Sequence, residues 1–179
     1  MTNAITDTRP AATTRLQATC TAQATFNSPI GPMLLARTQH GLAGAWFDGQ
    51  KHHPGELTAP REPEDDLLCR AAHELDAYFS GRSTGFSVPL DLQGTAFQRA
   101  VWRALLAIAA GTTRSYGELA RDLGTPAAVR AVGGAVGRNP VSVIVPCHRV
   151  IGSSGALTGY AGGIDRKRAL LALEAPQLG

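Results

Sequence analysis

Residues 115–140 read SYGELARDLGTPAAVRAVGGAVGRNP, which predicts two short helices joined by a tight turn. Ser115 and Glu118 form the capping-box pattern that marks the start of a helix, and a glycine follows where that helix should end. Thr125 and Pro126 predict the cap and the first position of the second helix. Such a pair is typical of a helix-turn-helix that binds DNA, although it also occurs as plain helix packing.

The second helix of the pair, AAVRAVGGAVG at 127–137, has small side chains with one exception, Arg130. A glycine inside a helix costs about 1 kcal/mol relative to alanine, so Gly133 and Gly134 indicate the close approach of another backbone. A small-faced helix with one arginine suits a narrow DNA groove, where Arg130 would enter the base stack or contact a phosphate. Tight packing against a neighbouring helix explains the same residues equally well.

A reactive triplet follows this helix pair. VSVIV at 141–145 predicts a buried strand that runs through a proline into Cys147, His148 and Arg149. Both neighbours favour the thiolate form of Cys147, which is the nucleophilic form. In a regular strand Cys147 and His148 point to opposite faces, so they cooperate only if the chain turns or a water bridges them. Glu174, at the end of a predicted last helix, is the acid available to orient the imidazole.

The rest of the chain predicts a mixture of strands and helices. GPMLLA and LAGAWFD predict a hairpin, and EDDLLCRAAHELDAYFSG at 64–81 predicts a helix. Residues 83–94 predict an extended connector. TAFQRAVWRALLAIAAG predicts an amphipathic helix with Phe97 and Trp102 in the core, and Asp165 is expected to cap the last helix.

These patterns divide the chain into three parts. Residues 1–22 are polar and aperiodic and predict a flexible N-terminal arm. Residues 23–91 predict an N-terminal lobe, and residues 92–179 a C-terminal domain that contains the helix pair and Cys147. The expected fold class is α/β (α+β).

Composition excludes several classes of protein. The chain has 44% apolar and 17% charged residues, which describes a globular protein and not a disordered one. No run approaches the roughly 18 apolar residues of a membrane span. The first 20 residues lack the apolar segment of a secretory signal. We therefore expect a cytoplasmic protein with no membrane partner.

Basic charge is concentrated in the second half of the chain. Residues 1–90 hold 7 basic and 9 acidic residues, whereas residues 91–179 hold 10 basic and 5 acidic residues. A basic domain beside a mildly acidic one favours a polyanionic partner such as nucleic acid. A compositional preference for arginine, which supplies 15 of the 17 basic residues, would produce the same imbalance.

The cysteines predict neither disulfides nor a metal site. Cys20, Cys69 and Cys147 are too few and too irregularly spaced for a disulfide framework, and no CxxC pair is present. Cys69 and His73 lie four residues apart on a predicted helix, but two further ligands are missing. We expect no metal and no organic cofactor.

Five segments together resemble one family. SYGELA, RAVGGA, NPVSVIVPCHRVIG, GYAGG and RALLALE occur in one order at tight spacing. They resemble the O6-alkylguanine-DNA alkyltransferase family, also called methylated-DNA–protein-cysteine methyltransferases. The resemblance is dense over residues 94–174 and weaker over residues 25–81. Some members carry zinc in the N-terminal lobe, but Cys20, His40 and Cys69 do not align with such a ligand set.

The resemblance implies a fold, a reaction and a partner. The fold would be a small ribonuclease-H-like sheet lobe followed by a helical, winged-helix-like helix-turn-helix domain. The reaction would be a single, irreversible transfer of an alkyl group from O6-alkylguanine, and also from O4-alkylthymine, to a cysteine of the protein after the nucleotide is flipped out. The partner would be double-stranded DNA bound by a monomer through its minor groove.

The resemblance also assigns the reacting groups. Cys147 matches the acceptor thiolate, His148 the water-assisted base, and Glu174 the carboxylate that orients this base. Asn139 matches the residue that braces the turn before the active site. Tyr116 matches the tyrosine that crowds the target phosphate and donates a proton to guanine.

Further residues match the DNA-binding helix and the base pocket. Arg130 matches the arginine that fills the gap left by the extruded base. The neighbouring positions that would meet DNA are Ala131, Gly133 and Gly134. The positions that would line the guanine pocket are Val150, Tyr160, Ala161 and Gly162.

Two other functions stay open at this point. One is a non-catalytic relative that recognises alkylated bases, which the presence of Cys147 disfavours. The other is a hydrolase with a Cys-His-Glu site, in which the helix pair would be incidental. Turnover separates them, because a hydrolase acts repeatedly and an alkyl acceptor acts once.

Overall fold

The computed structural model describes residues 12–175. Its α-helices and β-strands are, in chain order, α1 (Ala12–Thr19), β1 (Ala22–Ser28), β2 (Gly31–Arg37), β3 (Leu42–Phe47), α2 (Asp66–Phe79), α3 (Ala96–Leu106), β4 (Arg114–Ser115), α4 (Tyr116–Asp122), α5 (Val129–Gly137), β5 (Val150–Ile151) and α6 (Ile164–Glu174). Short 3₁₀ turns cover Pro126–Ala128 and Cys147–Arg149. The expected α/β (α+β) class is confirmed.

The N-terminal lobe is a three-stranded antiparallel sheet covered by α2. The strands are ordered β1-β2-β3, and Leu35 in β2 pairs with Ala24 and Ala45 on either side. The predicted hairpin of β2 and β3 is confirmed. The sequence patterns missed β1, because its residues, AQATFNS, are mostly polar and lie at the edge of the sheet.

The expected flexible arm is wrong for residues 12–22. Residues 12–19 form a helix, and Leu16 is buried beside Trp46 in a small second cluster of apolar residues. The Gln17 amide donates to the carbonyls of Pro54 and Glu56 at 3.3 and 3.2 Å. One apolar anchor and these polar contacts hold the helix, which has too weak an apolar stripe to be predicted. The first 11 residues lie outside the described part of the chain.

The helix pair forms as expected, with a different start to its second helix. Ser115 and Glu118 make both hydrogen bonds of the capping box. The Thr125 side chain makes no cap and donates to the Ala120 carbonyl, while a 3₁₀ turn at Pro126–Ala128 leads into α5. The predicted cap at Asp165 is also wrong, because Gly163 with φ +91° occupies that position and permits the turn.

A continuous core joins the two parts of the molecule. It is formed by apolar side chains from the sheet, α2 and the C-terminal helices, among them Met33, Phe47, Leu75, Trp102, Val132 and Val145. Trp102 is buried as expected and donates from Nε1 to the Ala135 carbonyl at 2.8 Å, which ties α3 to α5. Phe97 is 37% exposed, so its predicted core position is wrong; it lies in the first turn of α3, on the outer face.

The predicted strand at 141–145 is absent from the structure. Only Val141 makes a single bridge to Ala45, after which the chain turns and reaches a 3₁₀ turn at Cys147–Arg149. Val143 is fully buried with φ +74°, a backbone conformation that β-branched residues rarely adopt. The apolar run is buried as a strand would be, but the chain folds back on itself. Within residues 12–175, no helix is long and apolar enough to cross a membrane.

Candidate active site

The 3₁₀ turn places the Cys147 thiol in the interior. The residue is 4% exposed, and its Sγ accepts a hydrogen bond from Asn139 Nδ2 at 3.1 Å. Because the chain turns here, the strand alternation that would send Cys147 and His148 to opposite faces does not apply. The turn that the sequence left unproved is therefore present.

Asn139 closes this turn with its side chain. Its Nδ2 also donates to the Val145 carbonyl at 2.8 Å, and its Oδ1 accepts from the Val141 N–H at 3.0 Å. The amide thus replaces hydrogen bonds that a strand would have made with a neighbour. Asn139 lies where the sequence predicted a bracing residue.

His148 and Glu174 form a buried pair. His148 is fully buried, and its Nε2 lies 2.8 Å from Glu174 Oε1. An ionised carboxylate only accepts hydrogen bonds, so Nε2 must carry the proton. The other ring nitrogen, Nδ1, is buried and has no hydrogen-bond partner among residues 12–175. A neutral imidazole in this tautomer leaves Nδ1 as a free base.

Arg149, for which the sequence predicted a different role, and Tyr78, which the sequence reasoning missed, complete the environment of Glu174. Arg149 donates from Nε to Oε2 at 2.8 Å and from Nη2 to Oε1 at 2.7 Å. The Tyr78 hydroxyl, from α2 of the N-terminal lobe, donates to Oε1 at 2.7 Å. No local sequence signal connects Tyr78 to Glu174, because 96 residues separate them.

Burial dominates the protonation of the reactive groups. It raises the pKa of Cys147, although the Asn139 hydrogen bond and the nearby Lys167 cation oppose the rise. It lowers the pKa of His148, although Glu174 opposes the fall. Burial alone would raise the pKa of Glu174, but the hydrogen bonds from His148 and Arg149 reverse this and lower it. The resting site therefore holds a neutral thiol, a neutral imidazole and a carboxylate.

The prediction that Arg149 favours the thiolate form of Cys147 is wrong. Its guanidinium is held by Glu174 and by the Ile108 carbonyl. The cation that favours the thiolate is Lys167 of α6, a fully buried lysine. Its Nζ donates to the carbonyls of Val150, Thr158 and Gly159 at 2.5, 3.1 and 3.4 Å.

An open cavity of about 430 Å³ lies between α5 and the loop before α6. Its lining consists of Lys51, His52, Tyr116, Gly133, Gly134, Gly137, Arg138, Gly159, Tyr160 and Ala161. Two of the lining residues, Tyr116 and Tyr160, interact electrostatically with Cys147: burial and the nearby Cys147 both raise the pKa of each phenol. Cys147 does not itself line the cavity, but it is coupled to these two residues that do.

The structure places two of the four predicted base-pocket residues in the cavity lining. These are Tyr160 and Ala161, whereas Val150 is fully buried and does not line the cavity. Gly162 does not line it; a Cβ there would lie 2.7 Å from the Tyr160 ring, so glycine lets the loop pack tightly. The Tyr116 hydroxyl donates to the Thr158 and Gly159 carbonyls, both at 3.2 Å.

The glycines of α5 face the cavity and not another backbone. A Cβ on Gly133 would meet only the Tyr116 ring at 3.7 Å, and one on Gly134 only the Arg138 side chain at 3.4 Å. The expected close approach of a neighbouring backbone is therefore wrong. Arg130 and Ala131 are exposed on the same helix, outside the cavity lining.

The cavity lining includes two cations, Lys51 and Arg138, and a histidine, His52, that the sequence reasoning did not single out as site residues. Lys51 and His52 come from the N-terminal lobe, and Arg138 comes from the end of α5. Burial and the two cations lower the pKa of His52, so its ring is neutral at pH 7. The Lys51 N–H donates to the Ala161 carbonyl at 2.9 Å, which fixes the two loops together. In the described part of the chain, no cluster of three or more His, Cys, Asp or Glu side chains could hold a metal.

Two family descriptions cover almost the whole described chain. The DNA-binding domain of 6-O-methylguanine DNA methyltransferase matches residues 96–176, and the ribonuclease-like domain of the same family matches residues 22–92. The chain belongs to this family. The resemblance inferred from the PCHRV segment and its neighbours is confirmed, as is the two-lobed fold that it implied.

Relatives and solved structures of the 6-O-methylguanine DNA methyltransferase family agree. A methylated-DNA–protein-cysteine methyltransferase of Mycobacterium tuberculosis is 53% identical over 150 residues, or 84% of this chain and 90% of the relative. One from Methanosarcina acetivorans is 49% identical over 152 residues, 84% of this chain and 96% of the relative. The crystal structure of the M. tuberculosis O6-methylguanine methyltransferase superimposes with a TM-score of 0.80 at 50% identity and covers 88% and 94% of the two chains.

A structure of the M. tuberculosis family member in complex with DNA superimposes with a TM-score of 0.79 at 51% identity and covers 87% of this chain and 96% of that one. Family membership makes the chain a methylated-DNA–protein-cysteine methyltransferase of direct-reversal DNA repair, and it binds DNA. The hydrolase alternative and the non-catalytic alternative are disfavoured.

Proposed function

We propose that Cys147 accepts the alkyl group of O6-alkylguanine in double-stranded DNA, once and irreversibly. The observation that carries this proposal is the position of the thiol. It is buried, braced by Asn139 and followed by the hydrogen-bonded pair of His148 and Glu174, and it is coupled to Tyr116 and Tyr160 of the open cavity. A nucleophile, a base and an orienting acid thus occur together beside a space of the right kind.

The first step moves the thiol proton. Cys147 begins as a neutral thiol because its pKa is raised by burial. His148 Nδ1 is the free base of the site and takes the proton, with one water as the relay. The imidazolium that forms is stabilised by Glu174, which remains ionised because its pKa is lowered by His148 and Arg149.

The second step transfers the alkyl group. The Cys147 sulfur attacks the alkyl carbon, so an S–C bond forms while the C–O6 bond breaks and its electron pair passes to guanine. Tyr116 donates a proton to the departing guanine and recovers one from solvent, to which the His148 imidazolium returns the thiol proton. The Lys167 cation stabilises the thiolate before attack. The thioether has no leaving group that water displaces, so each molecule reacts once and needs no cofactor.

DNA binding requires the target nucleotide to leave the helix, because O6 is not accessible within a base stack. We propose that α5 enters the minor groove and that Arg130 fills the gap left by the flipped base. Gly133 and Gly134 leave room on the cavity side of this helix. Ala131, exposed next to Arg130, would meet the groove wall.

Phosphates flanking the flipped nucleotide would meet cations of the cavity. Lys51 and Arg138 lie in the cavity lining beside the neutral His52, and no acidic residue is among the described lining residues. The mutual repulsion of the two cations is relieved when an anion binds between them. We further propose a monomer that acts in the cytoplasm and accepts O4-alkylthymine as a second substrate.

The decisive experiment is intact-protein mass spectrometry after incubation with a duplex that contains O6-methylguanine. We expect one added methyl group on Cys147 and saturation at one equivalent. Cys147→Ala should abolish transfer and retain DNA binding. Cys69→Ala is the matched control, because Cys69 is an exposed thiol and its loss should leave transfer unchanged. Repeated turnover, or a methyl group on Cys69, would contradict the proposal.

A further inference from the structure

The N-terminal lobe supplies one hydrogen bond directly to the proton-transfer pair. Tyr78 lies in the last turn of α2, and its hydroxyl donates to Glu174 Oε1 at 2.7 Å. This is the same oxygen that accepts from His148 Nε2 at 2.8 Å. The Tyr78 hydroxyl therefore binds the same Glu174 oxygen that accepts the hydrogen bond from the His148 imidazole.

The hydroxyl is fixed in place and stays protonated. Tyr78 is 2% exposed, and its ring packs against those of Phe79 and Phe86, with centroid distances of 5.3 and 5.5 Å. Burial and the adjacent Glu174 carboxylate raise the pKa of Tyr78. The hydroxyl therefore stays protonated at neutral pH and donates its hydrogen bond to the Glu174 carboxylate.

The two oxygens of the Glu174 carboxylate accept different numbers of hydrogen bonds. Oε2 accepts one hydrogen bond, from Arg149, whereas Oε1 accepts three, from His148, Arg149 and Tyr78. Donors that share one oxygen compete for its electron density, so each weakens the hold of the oxygen on the others. Without the Tyr78 hydroxyl, Oε1 would bind the proton of His148 more strongly.

Other charged or titratable groups face the pair from three directions. Arg149 follows His148 directly, Lys167 approaches from α6, and Cys147 lies on the same 3₁₀ turn. Tyr160 interacts electrostatically with both Cys147 and Tyr78. Replacing Tyr78 by phenylalanine removes none of these groups, and in the loop after α3 the Ile108 carbonyl accepts from Arg149.

We propose that Tyr78 is a positioning residue of the transfer reaction, through which the N-terminal lobe limits how tightly Glu174 holds the His148 ring. This inference rests on the proposed function of Cys147 and His148. It assigns to the N-terminal lobe a part in the proton transfer, in addition to its part in the core.

The test is the pH dependence of single-turnover methyl transfer in Tyr78→Phe. The rate should fall on the acid side as His148 becomes protonated and can no longer accept the thiol proton. We expect Tyr78→Phe to raise the pKa of this acid limb by about half a unit, a threefold change in the proton-binding constant. At pH values below this limb, the rate of Tyr78→Phe divided by that of the original protein should be about one third of the same ratio at pH 8.

Two comparisons separate this role from a structural one. Phe86→Leu disturbs the packing of the Tyr78 ring and keeps the hydroxyl, so it should lower the thermal midpoint and leave the acid limb in place. In a Glu174→Gln background, Tyr78→Phe should shift the acid limb no further, because Tyr78 affects the pKa of His148 through the Glu174 carboxylate. Rates are divided by the fraction of molecules that accept a methyl group, so partial unfolding does not imitate a shift.

The outcomes distinguish the inference from the proposed function. If the original protein accepts no methyl group, the proposed function fails. If it does and Tyr78→Phe leaves the acid limb unchanged, or shifts it equally in the Glu174→Gln background, the role of Tyr78 is refuted. A shift in Phe86→Leu as large as that in Tyr78→Phe would also refute it.

Discussion

Lys167 offers a sharp test of the electrostatics around Cys147. Lys167→Met keeps the length and apolar stem of the side chain and removes only the ammonium group. The residue is fully buried, and its Nζ lies among the carbonyls of Val150, Thr158 and Gly159. The change therefore removes one cation and its hydrogen bonds without opening a large cavity.

The expected loss of stability follows from these contacts. In the variant, the Tyr116 hydroxyl still donates to the carbonyls of Thr158 and Gly159. The hydrogen bond that is lost without a replacement is therefore the one to the Val150 carbonyl. A hydrogen bond to a charged group contributes about 1.5–3 kcal/mol, and relief from burying a cation offsets part of it. We expect the free energy of unfolding to fall by about 1–2 kcal/mol. The pKa of Cys147 should rise further, because Lys167 opposes the effect of burial.

Urea denaturation measures the first effect, and the rate of reaction of Cys147 with a free alkylated base, followed against pH, measures the second. Each unit of increase in the pKa of the thiol lowers the thiolate fraction at neutral pH about tenfold. Arg168→Met is the matched control, since Arg168 is exposed and, among residues 12–175, pairs only with the exposed Asp165. A thiol pKa that is unchanged in Lys167→Met, or raised equally in Arg168→Met, would refute the reasoning.

Two further predictions concern DNA and the connector between the lobes. Arg130→Ala should slow repair of a duplex at least tenfold more than reaction with a free alkylated base, because only the duplex leaves a gap to fill; equal losses in the two rate assays would argue against this role. Glu74→Gln should lower the free energy of unfolding by about 1–2 kcal/mol, since Glu74 accepts from the N–H groups of Ser87 and Val88 at 2.8 and 3.0 Å. Burial alone would raise the pKa of Glu74, but these bonds and the Ser87 hydroxyl lower it, so its contribution is complete above its ordinary pKa of 4.5 and is lost as pH falls through the lower folded value. Urea titrations at several pH values should show that the difference in free energy of unfolding between Glu74→Gln and the original protein disappears in acid. Asp76→Asn, at an exposed ion pair on the same helix, should change the free energy of unfolding little. A difference for Glu74→Gln that does not depend on pH would contradict the assignment.

Local signals in the sequence predicted the parts of the fold that depend on local physics. The capping box at Ser115 and Glu118 and the apolar stripe of α2 need no distant partner, and both are confirmed. The reactive Cys147 and the turn residue Asn139 were identified by their sequence segments, and the structure places them in contact. Their roles in the reaction remain predictions.

Distant contacts explain most of what could not be predicted. The run VSVIV has the composition of a buried strand, but the Asn139 side chain satisfies its backbone groups and the chain turns. Tyr78 is an ordinary helix tyrosine until the C-terminal helix brings Glu174 against it. Lys167 looks like a surface lysine in RKRALLALE, and only the loop carbonyls around it make it an interior cation.

The left-handed conformation of Val143 has a consequence for how the protein loses activity. A β-branched residue with positive φ costs about 1–3 kcal/mol, and the fully buried side chain shows that the surrounding core enforces it. The turn that carries Cys147 is thus strained, and core packing together with the Asn139 hydrogen bonds to Val141 and Val145 opposes this strain. We expect mild heating or low denaturant to relax this segment before the domain unfolds, so that activity is lost before the protein melts.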